Sequence, residues 1–292
     1  MEEGKPSVTA MRTAMMRAAH LLWDDPPKIF EDTLALRLCG CESEAALRAQ
    51  LDQLDPEVVR RVTGTVVMRG RYLEDEVDRA VERGLFQYVI LGAGLDSFAY
   101  RRTDLVKVLR VFEVDHPATQ AWKRTRLQET GIELPPNLSL VPIDFEKQSF
   151  IDGLQRSGYR TDAPGVFSWI GVTMYLTPDA IFSTLRAIAS LAAGTEIIFQ
   201  YLVPKELVDE EAQRILAVIM ADTAARGEPH QSFFEPAKLA ERVRGLGFVD
   251  VSDLGPDEVQ ARYFAGRTDG LRASPLNHYM RARVSPRSNY QA

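Results

Sequence analysis

Two patterns of apolar and polar residues divide the chain near residue 84. In residues 1–84 apolar positions recur at helical spacing, and the longest such pattern predicts a helix over Pro56–Arg83. Gly64 and Gly70 weigh against one unbroken helix there, because glycine is a poor helix former. From Gln87 onward, short apolar runs alternate with amphipathic stretches. We therefore predict an N-terminal helical cap (1–84) that contributes to the binding pocket, followed by an α/β core (85–292).

Five apolar runs in the α/β part predict buried strands. They are Tyr88–Leu91, Val108–Val114, Leu138–Ile143, Gly165–Val172 and Glu196–Val203. Helical patterns lie between them, and this alternation is typical of a doubly wound, mostly parallel sheet. Later patterns predict helices at Lys205–Ala225 and Pro236–Gly245 and a strand at Phe248–Leu254, while Ser285–Ala292 has the composition of a loose tail.

The first predicted strand ends at Gly92-Ala93-Gly94, and a helix start follows directly. Glycine has no Cβ, so the backbone can turn sharply and a ligand can lie against it. In parallel α/β sheets, nucleotide-like ligands bind at the carboxyl ends of the strands. The pattern therefore predicts that Gly92 and Gly94 contact such a ligand.

The second predicted strand ends in two acids, Glu113 and Asp115, about 20 residues after the glycine turn, where an acid can accept hydrogen bonds from a ribose. Acids at such an edge also serve as solvated groups or helix caps. A dinucleotide would favour a third glycine where Ser97 stands, and Asp96 would lie near its pyrophosphate. A nucleoside cofactor without phosphate, S-adenosylmethionine, fits better.

Composition narrows the class of protein further. Of 292 residues, 45% are hydrophobic and 26% charged, and the net charge of −6 disfavours a nucleic-acid partner. Two cysteines, Cys39 and Cys41, and four scattered histidines indicate no metal site. The opening MEEGKP predicts no signal peptide, and no apolar run approaches the roughly 20 residues of a membrane helix. We expect a cytoplasmic protein with no membrane partner.

Several motifs, in one order, resemble the class I methyltransferases of the leucine carboxyl methyltransferase type. They are PSVTAMRTAMMRAAH, MRGRYLED, VILGAGLDSFAYR, VFEVDHP, VPIDF, SWIGVTMYL and YFAGRTDGL. The likeness covers nearly the whole chain and is greatest to the bacterial branch of polyketide-type O-methyltransferases. It implies a Rossmann-like fold and S-adenosyl-L-methionine as the cofactor.

The resemblance also implies a role for each matching residue. Arg69 would pair with the methionine carboxylate, with Arg71 as the alternative, Gly92 and Gly94 would lie against the cofactor, Asp115 would bind the ribose, with Glu113 as second choice, and Asp144 and Phe145 would bracket the adenine. One position departs from the family. Ile170 stands where many members have a glutamate beside the methionine moiety, so a hydrogen bond to the ammonium must come from a backbone carbonyl or be absent.

Two residues are candidates for the transfer step itself. A carboxylate acceptor is ionised at neutral pH and needs no base, whereas a hydroxyl needs one. His230, in the long insert after the fifth predicted strand, is the candidate base, although exposed loop histidines are common. Tyr175 and Trp169 are candidates to face the sulfonium through their π clouds, or else belong to the core.

These observations predict an S-adenosylmethionine-dependent methyltransferase that acts on an oxygen of a small metabolite. Two alternatives use the same sheet. One is an NAD(P)-dependent oxidoreductase, against which Ser97 and the lack of a Tyr-x-x-x-Lys pair count. The other is a catalytically inactive cofactor-binding homologue, which Ile170 keeps open. The acceptor's identity and the oligomeric state do not follow from the sequence.

Overall fold

The structure, a computed structural model, describes residues 8–143 and 149–286. Its helices are α1 (Val8–Trp23), α2 (Ala35–Leu38), α3 (Glu44–Leu51), α4 (Pro56–Glu82), α5 (Phe98–Arg101), α6 (Pro117–Glu129), α7 (Phe150–Arg156), α8 (Pro178–Ala189), α9 (Glu210–Ala224), α10 (Pro236–Gly245) and α11 (Pro256–Val259). Its strands are β1 (Gln87–Leu91), β2 (Arg110–Asp115), β3 (Leu138–Pro142), β4 (Val166–Trp169), β5 (Glu196–Leu202), β6 (Phe248–Leu254) and β7 (Asn277–Val284).

The strands of the described residues form one sheet in the order β3-β2-β1-β4-β5-β7-β6. Neighbours from β3 to β5 are parallel, and β7 lies antiparallel between β5 and β6. The predicted class, a doubly wound and mostly parallel α/β sheet with a helical N-terminal region, is confirmed. The strand order reverses beside β1, which is where such sheets bind ligands.

Helices cover both faces of this sheet. Alternate side chains of β1 point to opposite faces. Tyr88 and Ile90 pack with α4 and α5, whereas Val89 and Leu91 pack in a second cluster with α7, α8 and α10. Because α4 shares a hydrophobic cluster with β1, α4 is packed directly on the sheet, and α1 packs on α4 in turn. Within the described part of the chain, no helix combines the length and apolarity of a membrane span.

The predicted strands are found, and several of them have shorter ends. β2 begins at Arg110 rather than Val108, whose side chain is exposed in the preceding turn. β4 ends at Trp169, because Gly171 takes a positive φ of 72° and turns the chain away. The predicted helix at 205–225 is a short 3-10 turn followed by α9, which Asp209 caps.

The sequence pattern did not predict β7. The predicted tail at 285–292 lies almost wholly outside the described residues, so β7 is the last element that the structure describes.

α4 is one continuous helix, which answers the doubt raised by its two glycines. A Cβ on Gly64 would lie 2.9 Å from the carbonyl oxygen of Arg272, and one on Gly70 would lie 3.0 Å from the ring of Phe30. Both positions therefore lack a side chain because neighbouring segments pack closely there. The helix is stabilised by that packing despite the poor helix propensity of glycine.

A buried carboxylate, Asp32, joins the N-terminal helices to the glycine turn. Its Oδ2 accepts hydrogen bonds from Arg17 Nε of α1 at 2.7 Å and from Ser97 Oγ at 2.6 Å, and Arg101 Nε of α5 lies 3.5 Å from Oδ1. Arg17 also donates to the carbonyl of Leu95 at 2.7 Å. Burial alone would raise the pKa of Asp32, but Arg17, Arg101 and the Ser97 hydroxyl together hold it below its ordinary value.

We expect Asp32→Asn to lower the free energy of unfolding at pH 7 by about 3 kcal/mol, because it leaves the largely buried Arg17 guanidinium without its carboxylate partner. Denaturant titration measures this, with the exposed Asp162→Asn as a control that leaves stability unchanged. Since the folded pKa is depressed, the stabilisation is present above the unfolded pKa of about 3.9 and is lost as the pH falls through the folded pKa. A difference between wild type and variant that grew on acidification would contradict the assignment.

Candidate active site

A large cavity lies at the carboxyl ends of the parallel strands. Its volume is about 1310 Å³, above the range of about 300–1,000 Å³ that is usual for a site holding one small molecule. Its walls are formed by α1, α4, α9 and the segments that follow β1 and β4. The cavity therefore has room for two small molecules side by side.

The glycine turn after β1 forms the floor of one end. Gly92 and Gly94 have positive φ angles of 73° and 50°, and the carbonyl of Val114 accepts the N–H of Gly92 at 2.8 Å. A Cβ on Gly92 would lie 2.4 Å from Val172 Cγ2, and one on Gly94 would lie 3.0 Å from the Cβ of Ala10. Conformation and close packing both require glycine here, and both residues line the cavity.

Asp115, the last residue of β2, lies beside this turn and lines the cavity. Its two carboxylate oxygens accept the backbone N–H groups of Gly94 and His116, each at 2.6 Å. Burial raises the pKa of Asp115, and these two N–H groups oppose the rise. The carboxylate is thus fixed in direction while its remaining lone pairs stay available to a ligand.

Glu113 is placed elsewhere, which corrects its assignment as the second-choice ribose ligand. Its side chain is fully buried and does not line the cavity. Lys123 of α6 donates to Glu113 Oε2 at 2.6 Å and to the carbonyl of Asp96 at 2.7 Å. Burial raises the pKa of Glu113 to about 7, against the opposing effect of Lys123. Glu113 therefore supports the loop after the glycine turn through Lys123, on the side away from the cavity.

The helical phase of α4 separates the two candidate arginines. Arg69 lines the cavity, and its Nη1 donates to Gln200 Oε1 at 3.3 Å. Among the described residues no carboxylate pairs with it, and burial lowers its pKa, although a guanidinium stays protonated at neutral pH. Arg71 is exposed and pairs with Asp75 at 2.8 Å. The structure therefore favours Arg69 over Arg71.

Gln200 is a residue of this site that the sequence did not reveal. It lies in the middle of β5, is 1% exposed, and reaches both Arg69 and the backbone after β4. In the sequence, Gln200 stands out only as a single amide within the apolar run Ile197–Val203. Such a polar residue in a buried strand needs hydrogen-bond partners, so its position could have been noted.

Trp169 and Ile170, at the end of β4 and directly after it, face opposite sides of the sheet. Ile170 lines the cavity and is partly buried against the α4 side of the sheet. Trp169 does not face the cavity, because its side chain is 3% exposed within the cluster on the opposite face of the sheet. Trp169 is therefore a core residue and not a candidate partner for a sulfonium.

Tyr175 and His230, predicted from distant parts of the sequence, lie together on the cavity wall. Their ring centroids are 5.1 Å apart, and the ring of Phe233 is 6.4 Å from that of His230. Burial lowers the pKa of His230 and raises that of Tyr175. Both side chains are therefore neutral near pH 7.

The two residues predicted to bracket an adenine, Asp144 and Phe145, lie outside the described residues. Ile143, directly before them, lines the cavity next to the Asp115 end. Among the described residues, no group of histidine, cysteine or acidic side chains is arranged to hold a metal ion.

Comparison with solved structures identifies the fold. A crystal structure of a Thermobifida fusca protein whose description proposes a methyltransferase superposes with a TM-score of 0.59 over 98% of this chain and 97% of that one. The two are 18% identical, so this similarity concerns the fold alone. The fold is that of the methyltransferases.

Sequence comparison gives the family. The family model described as leucine carboxyl methyltransferase matches residues 10–189. YktD of Bacillus subtilis, whose name proposes an S-adenosyl-L-methionine-dependent methyltransferase, is 30% identical over 97% of this chain and 99% of its own length. A similarly named Mycobacteroides abscessus protein is 35% identical over 59% of this chain and 55% of its own. The chain belongs to the leucine carboxyl methyltransferase family and is an S-adenosylmethionine-dependent methyltransferase, as the resemblance implied.

We expect Gly92→Ala to destabilise the protein by about 1–2 kcal/mol more than Gly131→Ala, because only the former adds a clash to the strain. Gly131 also has a positive φ, 62°, but has no atom near its missing Cβ. Gly92→Ala should also weaken binding of S-adenosylhomocysteine, the demethylated cofactor, by about tenfold. Denaturant titration and calorimetry measure the two effects, and equal behaviour of the two variants would contradict this account of the turn.

Proposed function

We propose that this protein is an O-methyltransferase that transfers the methyl group of S-adenosylmethionine to an oxygen of a small metabolite. The observation that supports this most directly is the lining of the cavity. It combines the glycine turn, Asp115 and Arg69 with apolar side chains of α4 and α9. A donor and an acceptor held in one such space need little beyond alignment and exclusion of water.

The glycine turn, Asp115 and Arg69 fit the donor. Gly92 and Gly94 offer bare backbone on which a nucleoside can lie. An ionised carboxylate has about four acceptor sites, and backbone N–H groups occupy two of those of Asp115, so ribose hydroxyls can use the others. Arg69 has no acid partner among the described residues and can grip the methionine carboxylate with two hydrogen bonds. Asp144 and Phe145 remain the proposed adenine contacts.

The apolar part of the cavity lining suits an apolar acceptor. Val58, Val62 and Val66 are spaced four residues apart on α4 and so share one face. Ile215 and Ile219 have the same spacing on α9 and line the same space. Burial of apolar surface on these residues would hold the acceptor, at roughly 25 cal/mol per Å².

When bound, S-adenosylmethionine supplies an electrophilic methyl group on a sulfonium. The chain aligns the acceptor oxygen with it. For a carboxylate acceptor, His230 and Tyr175 would orient the oxygen by hydrogen bonds, and no base is needed. For a hydroxyl acceptor, we propose neutral His230 as the base that receives its proton. Tyr175 stays protonated because burial raises its pKa.

We expect Asp115→Ala to lower the affinity for S-adenosylhomocysteine at least about tenfold without unfolding the chain. The variant removes hydrogen bonds to an ionised group, each worth roughly 1.5–3 kcal/mol. Calorimetry measures the affinity, and the exposed Asp104→Ala is the matched control. Unchanged affinity in Asp115→Ala would argue against the ribose assignment.

Two cheap measurements test the function as a whole. Thermal melting with S-adenosylhomocysteine should raise the melting temperature, whereas NAD should not; the reverse result would favour the oxidoreductase. Labelled methyl donor incubated with a metabolite extract should then give labelled product. Binding of the cofactor without any transfer would favour the inactive homologue.

A further inference from the structure

We propose that Gln200 is a positioning residue of the donor site, and that its neutral amide directs Arg69 toward a ligand carboxylate without neutralising it. The inference rests on the proposed function, in which Arg69 binds the methionine carboxylate. Gln200 of β5, remote in sequence from the glycine turn, would thereby contribute to cofactor binding.

The amide of Gln200 has one orientation, set by its partners. Its Oε1 accepts the N–H of Gly171 at 3.0 Å and Arg69 Nη1 at 3.3 Å. Its Nε2 donates to Asn277 Oδ1 of β7, and Asn277 Nδ2 in turn donates to Ser274 Oγ at 2.9 Å. Because donors meet Oε1 and an acceptor meets Nε2, a flipped amide would lose all three contacts.

The amide of Gln200 carries no charge, so it accepts a hydrogen bond from Arg69 without neutralising the guanidinium. Burial lowers the pKa of the guanidinium, and no carboxylate among the described residues forms an ion pair with it. A partly buried cation without a counter-ion is unfavourable, so it favours a ligand that brings a carboxylate. A glutamate at position 200 would supply that counter-charge from within the protein.

The same amide also connects Arg69 to the glycine turn. Gly171 has a φ of 72°, and a Cβ there would lie 2.9 Å from Arg69 Nη1. Val172, the next residue, packs over Gly92. By holding the N–H of Gly171, Gln200 fixes the distance between the two proposed anchors of the donor, Arg69 at the amino-acid end and Gly92 beneath the nucleoside.

The test compares two ligands that differ in the amino-acid group. S-adenosylhomocysteine carries the carboxylate, whereas 5′-methylthioadenosine retains the nucleoside thioether without it. For Gln200→Glu, calorimetry should show S-adenosylhomocysteine binding at least about tenfold more weakly and 5′-methylthioadenosine within about twofold of wild type. Gln200→Met, which is neutral but cannot orient the guanidinium, should weaken only S-adenosylhomocysteine, and by less.

A double-mutant cycle adds a measurement that does not require Gln200→Glu to fold. In an Arg69→Met background, Gln200→Met should change the affinity for S-adenosylhomocysteine by less than about twofold, because the group it positions is gone. Equal weakening of both ligands in the single variants, or additive effects in the cycle, would show that Gln200 only maintains the fold and would overturn the inference. Failure of wild type to bind either ligand would instead overturn the proposed function.

Discussion

The architecture of the site depends on one buried carboxylate. Asp32 lies between α1 and the sheet and accepts hydrogen bonds from Arg17 and Ser97, one from each side. Because Arg17 also holds the carbonyl of Leu95, α1 is tied directly to the segment that forms the floor of the cavity. These hydrogen bonds are directional and set the distance between the helical wall and the glycine turn, which apolar packing alone would not do.

Buried charge is used in two different ways around the donor end. Lys123 and Glu113 form a buried ion pair beside the loop that follows the glycine turn. Lys123 also donates a hydrogen bond to the carbonyl of Asp96 in that loop. Arg69 has only a neutral amide partner among the described residues. In the first arrangement both charges belong to the protein and support its structure, whereas Arg69 gains a counter-charge when a ligand brings an anion.

Sequence patterns predicted the parallel part of the fold well, because its strands are continuous apolar runs. They did not predict β7, in which Arg281 and Arg283 alternate with apolar residues and pair with acids on the neighbouring strands. Nor could they separate Glu113 from Asp115. The two carboxylates lie two residues apart in one strand and so point to the same face. Only the packing of α6 shows which of them meets Lys123.

The proposed donor site shows the same difference between residues in local motifs and residues placed by tertiary packing. Gly92, Gly94, Asp115 and Arg69 belong to local motifs and were predicted to contact a ligand, and the structure brings them to one cavity. Gln200 belongs to no motif. Its role depends on the neighbours that β5 acquires in the sheet, Gly171 on one side and Asn277 on the other, and the latter lies in the strand that was not predicted.

The position of β7 has a consequence for the order of assembly. It lies between β5 and β6 in the sheet but follows both in the sequence. On a ribosome, the first five strands can pair as they emerge, yet β6 has no neighbour until the segment around residue 280 is synthesised and inserts beside β5. Asn277, which accepts a hydrogen bond from Gln200, arrives with that same segment, so the proposed cofactor pocket is complete in the nascent chain only after that segment has been synthesised.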